Sequence, residues 1–313
     1  MRNAFAQEVT AMAAKDPKLV LLSGDIGNRL FDKLRGGYPA QFMNCGVAEA
    51  NMMGVAAGMA LSGLRPIVYT ITPFTTTRCL EQIRVDVAYH NAPVVIVGTG
   101  SGLSYASLGP THHSLEDFAI FRAIPNIRVL APYDAPSLRS VLREAVNSDI
   151  PTYIRIGKKG EKDLVPSEKA VGIGKTAVVR EGTDICLLSV GTIGPEAITA
   201  ADTLKESHGI SAEVVLVNTV KPLDEVMLAG LAKRFKAIVT VEEHSKSGGF
   251  GEHVSAFLAQ NGIPLPIVCL GTGDKFMHSV GSQSYARTYF GIDAPSIVTA
   301  AQNCLKGPVG ATP

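Results

Sequence analysis

The sequence lacks an excess of charge of either sign. Lysine and arginine number 29, aspartate and glutamate 28, so no net field draws the chain to nucleic acid or to an anionic membrane surface. It also lacks paired cysteines. Cys45, Cys79, Cys186, Cys269 and Cys304 are odd in number and form no C-x-x-C pair or zinc spacing, which excludes a disulfide framework and reads as reduced core thiols. No apolar run reaches the ~20 residues of a membrane span. Met1-Arg2-Asn3-Ala4-Phe5 enters a helical pattern directly, without the apolar core of a signal peptide. Short-period repeats and low-complexity tracts are absent too. These absences describe a soluble cytoplasmic protein with neither nucleic acid nor membrane as partner.

What is present is a compact α/β composition. Hydrophobic residues make up 46% of the chain, with 31 glycines and 18 prolines, and 313 residues can bury two ordinary cores. Short apolar runs alternate with amphipathic stretches, the rhythm of βα units with parallel sheets. Residues 19–23, 94–97, 129–131 and 153–156 read as buried strands, and 2–15, 48–61, 76–89 and 135–147 as helices. Gly157-Lys158-Lys159-Gly160-Glu161-Lys162-Asp163 is polar and glycine-punctuated, as a linker is. A second series of strands follows at 185–190, 214–217, 238–241 and 267–270. The expected fold is therefore α/β, with two tandem domains of mainly parallel sheets flanked by helices, spanning 1–165 and 175–310. Residues 307–313 read as frayed.

Three constellations carry candidate chemistry. Asn44-Cys45-Gly46-Val47-Ala48-Glu49 leads into an apolar, small-residue helix, and Glu49 is a lone carboxylate at its head. It either favours the positive end of the helix dipole or, taken out of water by its neighbours, makes one specific hydrogen bond. Tyr69-Thr70-Ile71-Thr72-Pro73-Phe74 places an aromatic between a strand and a helix, where it is either core or a platform for a planar ligand. Gly98-Thr99-Gly100-Ser101-Gly102 follows a buried strand and runs on to Gly109-Pro110-Thr111-His112-His113. Its G-x-G-x-G spacing is not the dinucleotide fingerprint, and no P-loop Gly-Lys-Ser/Thr follows. The adjacent histidines lack an obvious third metal ligand, but imidazoles exchange protons near neutral pH.

Read in order, these segments resemble the transketolases. The likeness rests on Gly46-Val47-Ala48-Glu49, on Thr70, Phe74, Arg78 and Glu81-Gln82-Ile83-Arg84, on Gly109-Pro110-Thr111-His112, and on Phe121-Arg122-Ala123-Ile124-Pro125-Asn126. Val241-Glu242-Glu243-His244-Ser245 and Gly248-Gly249-Phe250-Gly251 continue it to the C-terminal half. The resemblance implies a pyrimidine-binding domain of thiamine diphosphate enzymes followed by a transketolase C-terminal domain. The family's Gly-Asp-Gly…Asn motif for the diphosphate and Mg2+ has no counterpart; Ser23-Gly24-Asp25-Ile26-Gly27 is nearest and aligns with a different segment. The resemblance thus implies a partner chain that holds the diphosphate and Mg2+, in an α2β2 assembly, with no metal ligands here.

By the same resemblance Glu49 contacts the pyrimidine N1′, Phe74 stacks on the ring beside Ile71, and Asp25 and Arg78 lie near the cofactor. His112 assists proton transfer at the substrate, while Arg2, Arg29 and Lys158 meet its anionic end. The expected reaction passes a two-carbon ketol unit from a ketose to an aldose or related aldehyde. Departures from the family pattern fall on the sugar-reading side. Glu49 is flanked by Ala48 and Ala50 instead of Arg and His, Ile71 replaces an aromatic, Leu108 an acid, Gly100 a histidine and Lys158 an arginine. A modified, phosphorylated or otherwise anionic sugar is therefore expected. The rival readings are the β subunit of a 2-oxo acid dehydrogenase, a deoxyxylulose-phosphate-synthase-like enzyme, and a non-catalytic binding subunit. Glu243 and His244 read as a structural hydrogen-bond pair, and the C-terminal domain as an assembly element without catalytic contact.

Overall fold

The computed structural model describes residues 1–27 and 29–306; the expectation for 307–313 lies outside them. Among the described residues twelve strands run β1 (Leu19–Ser23), β2 (Phe42–Asn44), β3 (Arg65–Ile71), β4 (Val95–Thr99), β5 (Arg128–Leu130), β6 (Thr152–Ile156), β7 (Thr176–Arg180), β8 (Ile185–Val190), β9 (Ala212–Val217), β10 (Thr219–Lys221), β11 (Ile238–Ser245) and β12 (Ile267–Thr272). They form two sheets, ordered β10-β5-β6-β4-β3-β1-β2 and β12-β11-β8-β9-β7. Every pairing is parallel except β10 on β5 and β7 on β9. All eight expected strands are present, so the two-domain α/β reading holds.

The apolar runs become strands because both faces are covered. Under one face of the first sheet, the helices Arg2–Ala13 and Ala135–Val146 seal Phe5, Leu21, Ile67, Val97 and Ile154. The other face shares a core with the second domain, in which Met52, Val68 and Phe121 join Leu188, Val217 and Phe250. The strand β10 comes from the second half of the chain but closes the edge of the first sheet, tying the two domains by backbone as well as by core. Between the sheets, Asp134 caps the helix Ala135–Val146 and also accepts from Leu164 and Val165 backbone N–H groups, which fixes the linker's exit. No described helix is long and apolar enough to cross a membrane.

One expectation changes. The helix read at 76–89 is not one α-helix: a short helix at Thr72–Thr75 is followed by a 3-10 turn at Thr77–Cys79, Leu80–Gln82 and a π-helical stretch Ile83–Tyr89. The physical reason lies in three successive threonines. Thr75 and Thr76 hydroxyls donate to the Thr72 carbonyl and Thr77 to that of Pro73, competing with the backbone for those acceptors. The stretch carrying Phe74 and Arg78 is consequently an irregular turn.

Candidate active site

The parallel strands β1, β3, β4 and β6 end on the same edge, and their carboxyl ends supply the candidate residues, as open α/β sheets do. After β1, Gly24 brings the chain close: a side chain there would meet Thr70 Cβ at 3.1 Å and Glu49 Cγ at 3.5 Å. Asp25 follows with a positive φ of 55°. Its carboxylate accepts from Asn44 Nδ2 at 3.0 Å, and Asn44 Oδ1 accepts from Gly46 N at 3.0 Å. Asp25 therefore shapes the turn that delivers Glu49 to the first position of the helix Glu49–Leu61.

Glu49 is buried, as the apolar sequence around it requires, but it is not alone. Arg78 Nη1 donates to its Oε1 at 2.7 Å, and Oε2 makes no hydrogen bond among the described residues. The same guanidinium lies 4.0 Å from the centre of the half-buried Phe74 ring. Phe74 in turn meets His112 edge-on, ring centres 5.4 Å apart at 66°. Ile71, the last residue of β3, is paired in register with Thr99 at the end of β4. Glu49, Arg78, Phe74 and His112 form one continuous chain of contacts.

His112 Nδ1 is 2.9 Å from Thr111 Oγ1. Partial burial lowers its pKa below the ordinary histidine value, which favours neutral imidazole at pH 7. On its far side stands Tyr105, ring centres 5.8 Å apart. Sequence reasoning passed over this residue. Its ring fills the space that a side chain at Gly100 would need, and the Lys158 ammonium lies 4.5 Å from its centre. Arg2 is close enough that its charge opposes the upward shift burial gives both Tyr69 and Tyr105, and Arg2 Nε is a buried donor without a partner among the described residues. Arg2, Tyr105 and Lys158 therefore make a cationic corner next to His112. Arg29 lies elsewhere. It lines a cavity of about 530 Å³ with Asn3, Gln7 and Lys33 along the first helix.

The C-terminal domain reaches this edge from behind. Glu243 and His244 do not bond to each other, because successive residues of β11 face opposite sides. His244 Nε2 accepts from the Phe118 and Ala119 N–H groups and its Nδ1 contacts the Ser245 carbonyl at 2.7 Å, an arrangement that suits neutral imidazole; burial lowers its pKa to about 4. Glu243 instead accepts from Leu103 N at 3.0 Å, in the loop that leads to His112. Gly251, in the first turn of the helix Phe250–Gln260, lets that helix pack close to the sheet, since a side chain there would overlap Thr240 and Cys269. No group of three His, Cys, Asp or Glu side chains among the described residues is placed to hold a metal.

Two α/β domains, the second backing a strand-end site on the first, define a class: the paired pyrimidine-binding and C-terminal domains of transketolase-type enzymes. Residues 1–160 match the family model for the transketolase pyrimidine-binding domain, and residues 174–297 that for the transketolase C-terminal domain. The chain belongs to the transketolase family. It is 35% identical over 302 residues to the 6-deoxy-6-sulfo-D-fructose transketolase subunit SqwH of Clostridium sp. strain MSTE9, covering 96% of this chain and 93% of that one. It is also 35% identical over 309 residues to the 1-deoxy-D-xylulose-5-phosphate synthase of Aquifex aeolicus, covering 97% of this chain and 48% of that protein. Among solved structures, a split-gene transketolase described as an inactive β4 tetramer superposes with a TM-score of 0.88 at 31% identity, over 97% of each chain.

Proposed function

We propose that the chain is the pyrimidine-binding subunit of a split, thiamine-diphosphate-dependent transketolase of the cytoplasm. It moves a two-carbon ketol unit from a ketose to an aldose or related aldehyde. A second chain, in an α2β2 assembly, binds the diphosphate and Mg2+. The observation that carries this reading is the buried Glu49 carboxylate, held through one oxygen by Arg78, whose guanidinium also lies over the half-buried Phe74 ring.

The residues present fit the aminopyrimidine end of the cofactor. Next to Glu49, Thr70 Oγ1 is a buried hydroxyl without a partner among the described residues, and Gly24 keeps the space beside it clear. Bound thiamine diphosphate supplies the nucleophilic carbon that stores a carbanion, chemistry that no side chain here offers. Glu49 would hold the proton it shares with the pyrimidine N1′, and Arg78 keeps one carboxylate oxygen fixed while it does so. Phe74 offers an apolar ring to the pyrimidine, with Ile71 as neighbour, and Asp25 holds the turn beneath. His112, neutral at pH 7, can take or return a proton at a substrate hydroxyl. Arg2 and Lys158 would meet the anionic end of the sugar. Arg29, proposed from the resemblance for the same role, lines a separate cavity along the first helix.

The substrate is proposed to be a modified sugar bearing phosphate or another strong-acid anion. Leu108 is 50% exposed where an acid would read a sugar hydroxyl, and Lys158 lacks the bidentate fork of arginine. A sulfonated ketose is within this class, in keeping with the name of the clostridial relative. The test is native purification with intact mass and cofactor content measured on one sample, followed by a donor–acceptor panel of phosphorylated and sulfonated ketoses. A stoichiometric second chain with bound cofactor, and ketol transfer, is expected. A homo-oligomer that takes up no cofactor with Mg2+ would overturn the reading. The similarity to deoxyxylulose-phosphate synthase favours one alternative, which the same sample decides: pyruvate consumption with carbon dioxide release.

A further inference from the structure

The loop between β4 and the helix Asp117–Ala123 carries both Tyr105 and His112. It is closed at its base by an antiparallel bridge between Gly102 and Ser114, with Ser114 N donating to Gly102 O at 3.0 Å. The apolar residues within and beside it, Leu103, Ala106 and Leu115, pack into the core of the C-terminal domain with Val241 and Met277. Both stems are held by the same strand. Ser245 N donates to Leu115 O at 2.8 Å on one side, and Glu243 takes Leu103 N on the other.

Glu243 is 1% exposed and its two oxygens are fully engaged. Oε1 accepts from Arg287 Nε at 2.6 Å and Gln283 Nε2 at 2.8 Å, and Oε2 from Gln283 Nε2 and Leu103 N, both at 3.0 Å. Arg287 and Gln283 belong to its own domain, so they compensate the charge and aim the carboxylate. Only Leu103 N belongs to the other domain. Gly102, with a φ of +56°, lets the loop touch β11 directly, since any side chain there would overlap Glu243.

We infer that Glu243, although in the C-terminal domain, is a positioning residue for the loop that presents His112 and Tyr105 to the substrate. The inference deepens the proposed ketol transfer and rests on it. Two variants of the full chain test it: Glu243→Gln, which keeps shape but weakens the hold on Leu103 N and Arg287, and Gly102→Ala, which pushes the loop off from its own side. Each is compared with the unsubstituted chain by amide hydrogen exchange of residues 101–115, then by cofactor content and steady-state kinetics in complex with its partner chain.

Both variants should exchange the loop at least about tenfold faster while the helix Glu49–Leu61 is unchanged. Cofactor content should stay stoichiometric and kcat fall ~10–100-fold, the cost of a misplaced reacting group. Faster loop exchange with unchanged kcat and KM would make the contact merely structural, and unchanged loop exchange would show that Glu243 does not hold the loop; either overturns the inference. If the unsubstituted complex transfers no ketol unit, the functional reading fails on its own, while the exchange measurement still decides whether Glu243 holds the loop.

Discussion

The Glu49–Arg78 pair joins a carboxylate whose side chain is 3% exposed to a guanidinium whose side chain is 45% exposed, 2.7 Å apart. The two single removals are therefore not equivalent. Arg78→Ala leaves a buried charge without its partner, a cost of ~1–3 kcal/mol for an unsatisfied group. Larger values belong to fully enclosed pairs, and water entering where the guanidinium stood keeps this one below them. Glu49→Ala leaves Arg78 in solvent, forfeits ~0.3–1 kcal/mol of helix-dipole interaction at the first helical position, and removes the burden of a buried charge. Arg78→Ala should thus be the less stable of the two by ~1–2 kcal/mol. For a unit of this size that is a difference of ~2–8 °C in melting midpoint. The assay is thermal unfolding of the free chain without cofactor, read at the first transition because two domains need not unfold together. A Glu49→Ala variant as unstable as Arg78→Ala, or less stable, would refute the asymmetry and with it the view that Arg78 compensates a buried carboxylate.

The order should invert for catalysis. In the assembled enzyme Glu49→Ala is expected to lower kcat by ~10²–10⁴ while the chain stays folded, and near-normal turnover would remove Glu49 from the mechanism. Because burial lowers the His112 pKa, the acid limb of kcat/KM that disappears in His112→Asn should lie below pH 6.5; a limb at or above 6.5 that vanishes in this variant would contradict the burial. Glu242, buried and accepting from the Phe250 and Gly251 N–H groups, has its pKa raised to about 7 from an ordinary 4.5. Its contribution is present below pH 4.5 and lost as pH rises through 7, so Glu242→Gln should gain stability relative to the parent between pH 5.5 and 8. Urea midpoints of both proteins at the two pH values would show it, and a constant or reversed difference would refute it.

Local signals were readable where one segment supplied the whole cause. The eight strands read as buried apolar runs are present; the four unread ones each have a reason. Phe42–Asn44 and Thr219–Lys221 are three-residue strands at sheet edges, Thr176–Arg180 is an edge strand with exposed residues, and Arg65–Ile71 hides behind Arg65 and Pro66. Glu49, Phe74, Arg78 and His112 were readable from their motifs, and the fold brings them into contact. That Arg78 binds Glu49 was not, since nothing in either segment specifies the other. Tyr105 was overlooked although it sits only five residues from Gly100, because its importance lies in where its ring turns. Glu243 was beyond local reading: its partner Leu103 is 140 residues away.

The glycines of the β4 loop show how distant packing writes a local pattern. Gly98-x-Gly100-x-Gly102 fits no phosphate-binding loop, and the structure gives each position a separate cause. A side chain at Gly98 would come within 3.1 Å of the Thr72 backbone, in the turn that carries Phe74. One at Gly100 would overlap the Tyr105 ring, and one at Gly102 would overlap Glu243 of the other domain. Gly100 and Gly102 also take φ of +82° and +56°, where other residues are strained. The spacing is therefore set by three neighbours pressing on one strand end from three directions: the turn that carries Phe74, the Tyr105 ring and the C-terminal domain. The glycines let those three surfaces meet. Substituting any one should disturb the part of the site that its own neighbour serves, which is why Gly102 reports on the C-terminal domain and Gly98 on the Phe74 turn.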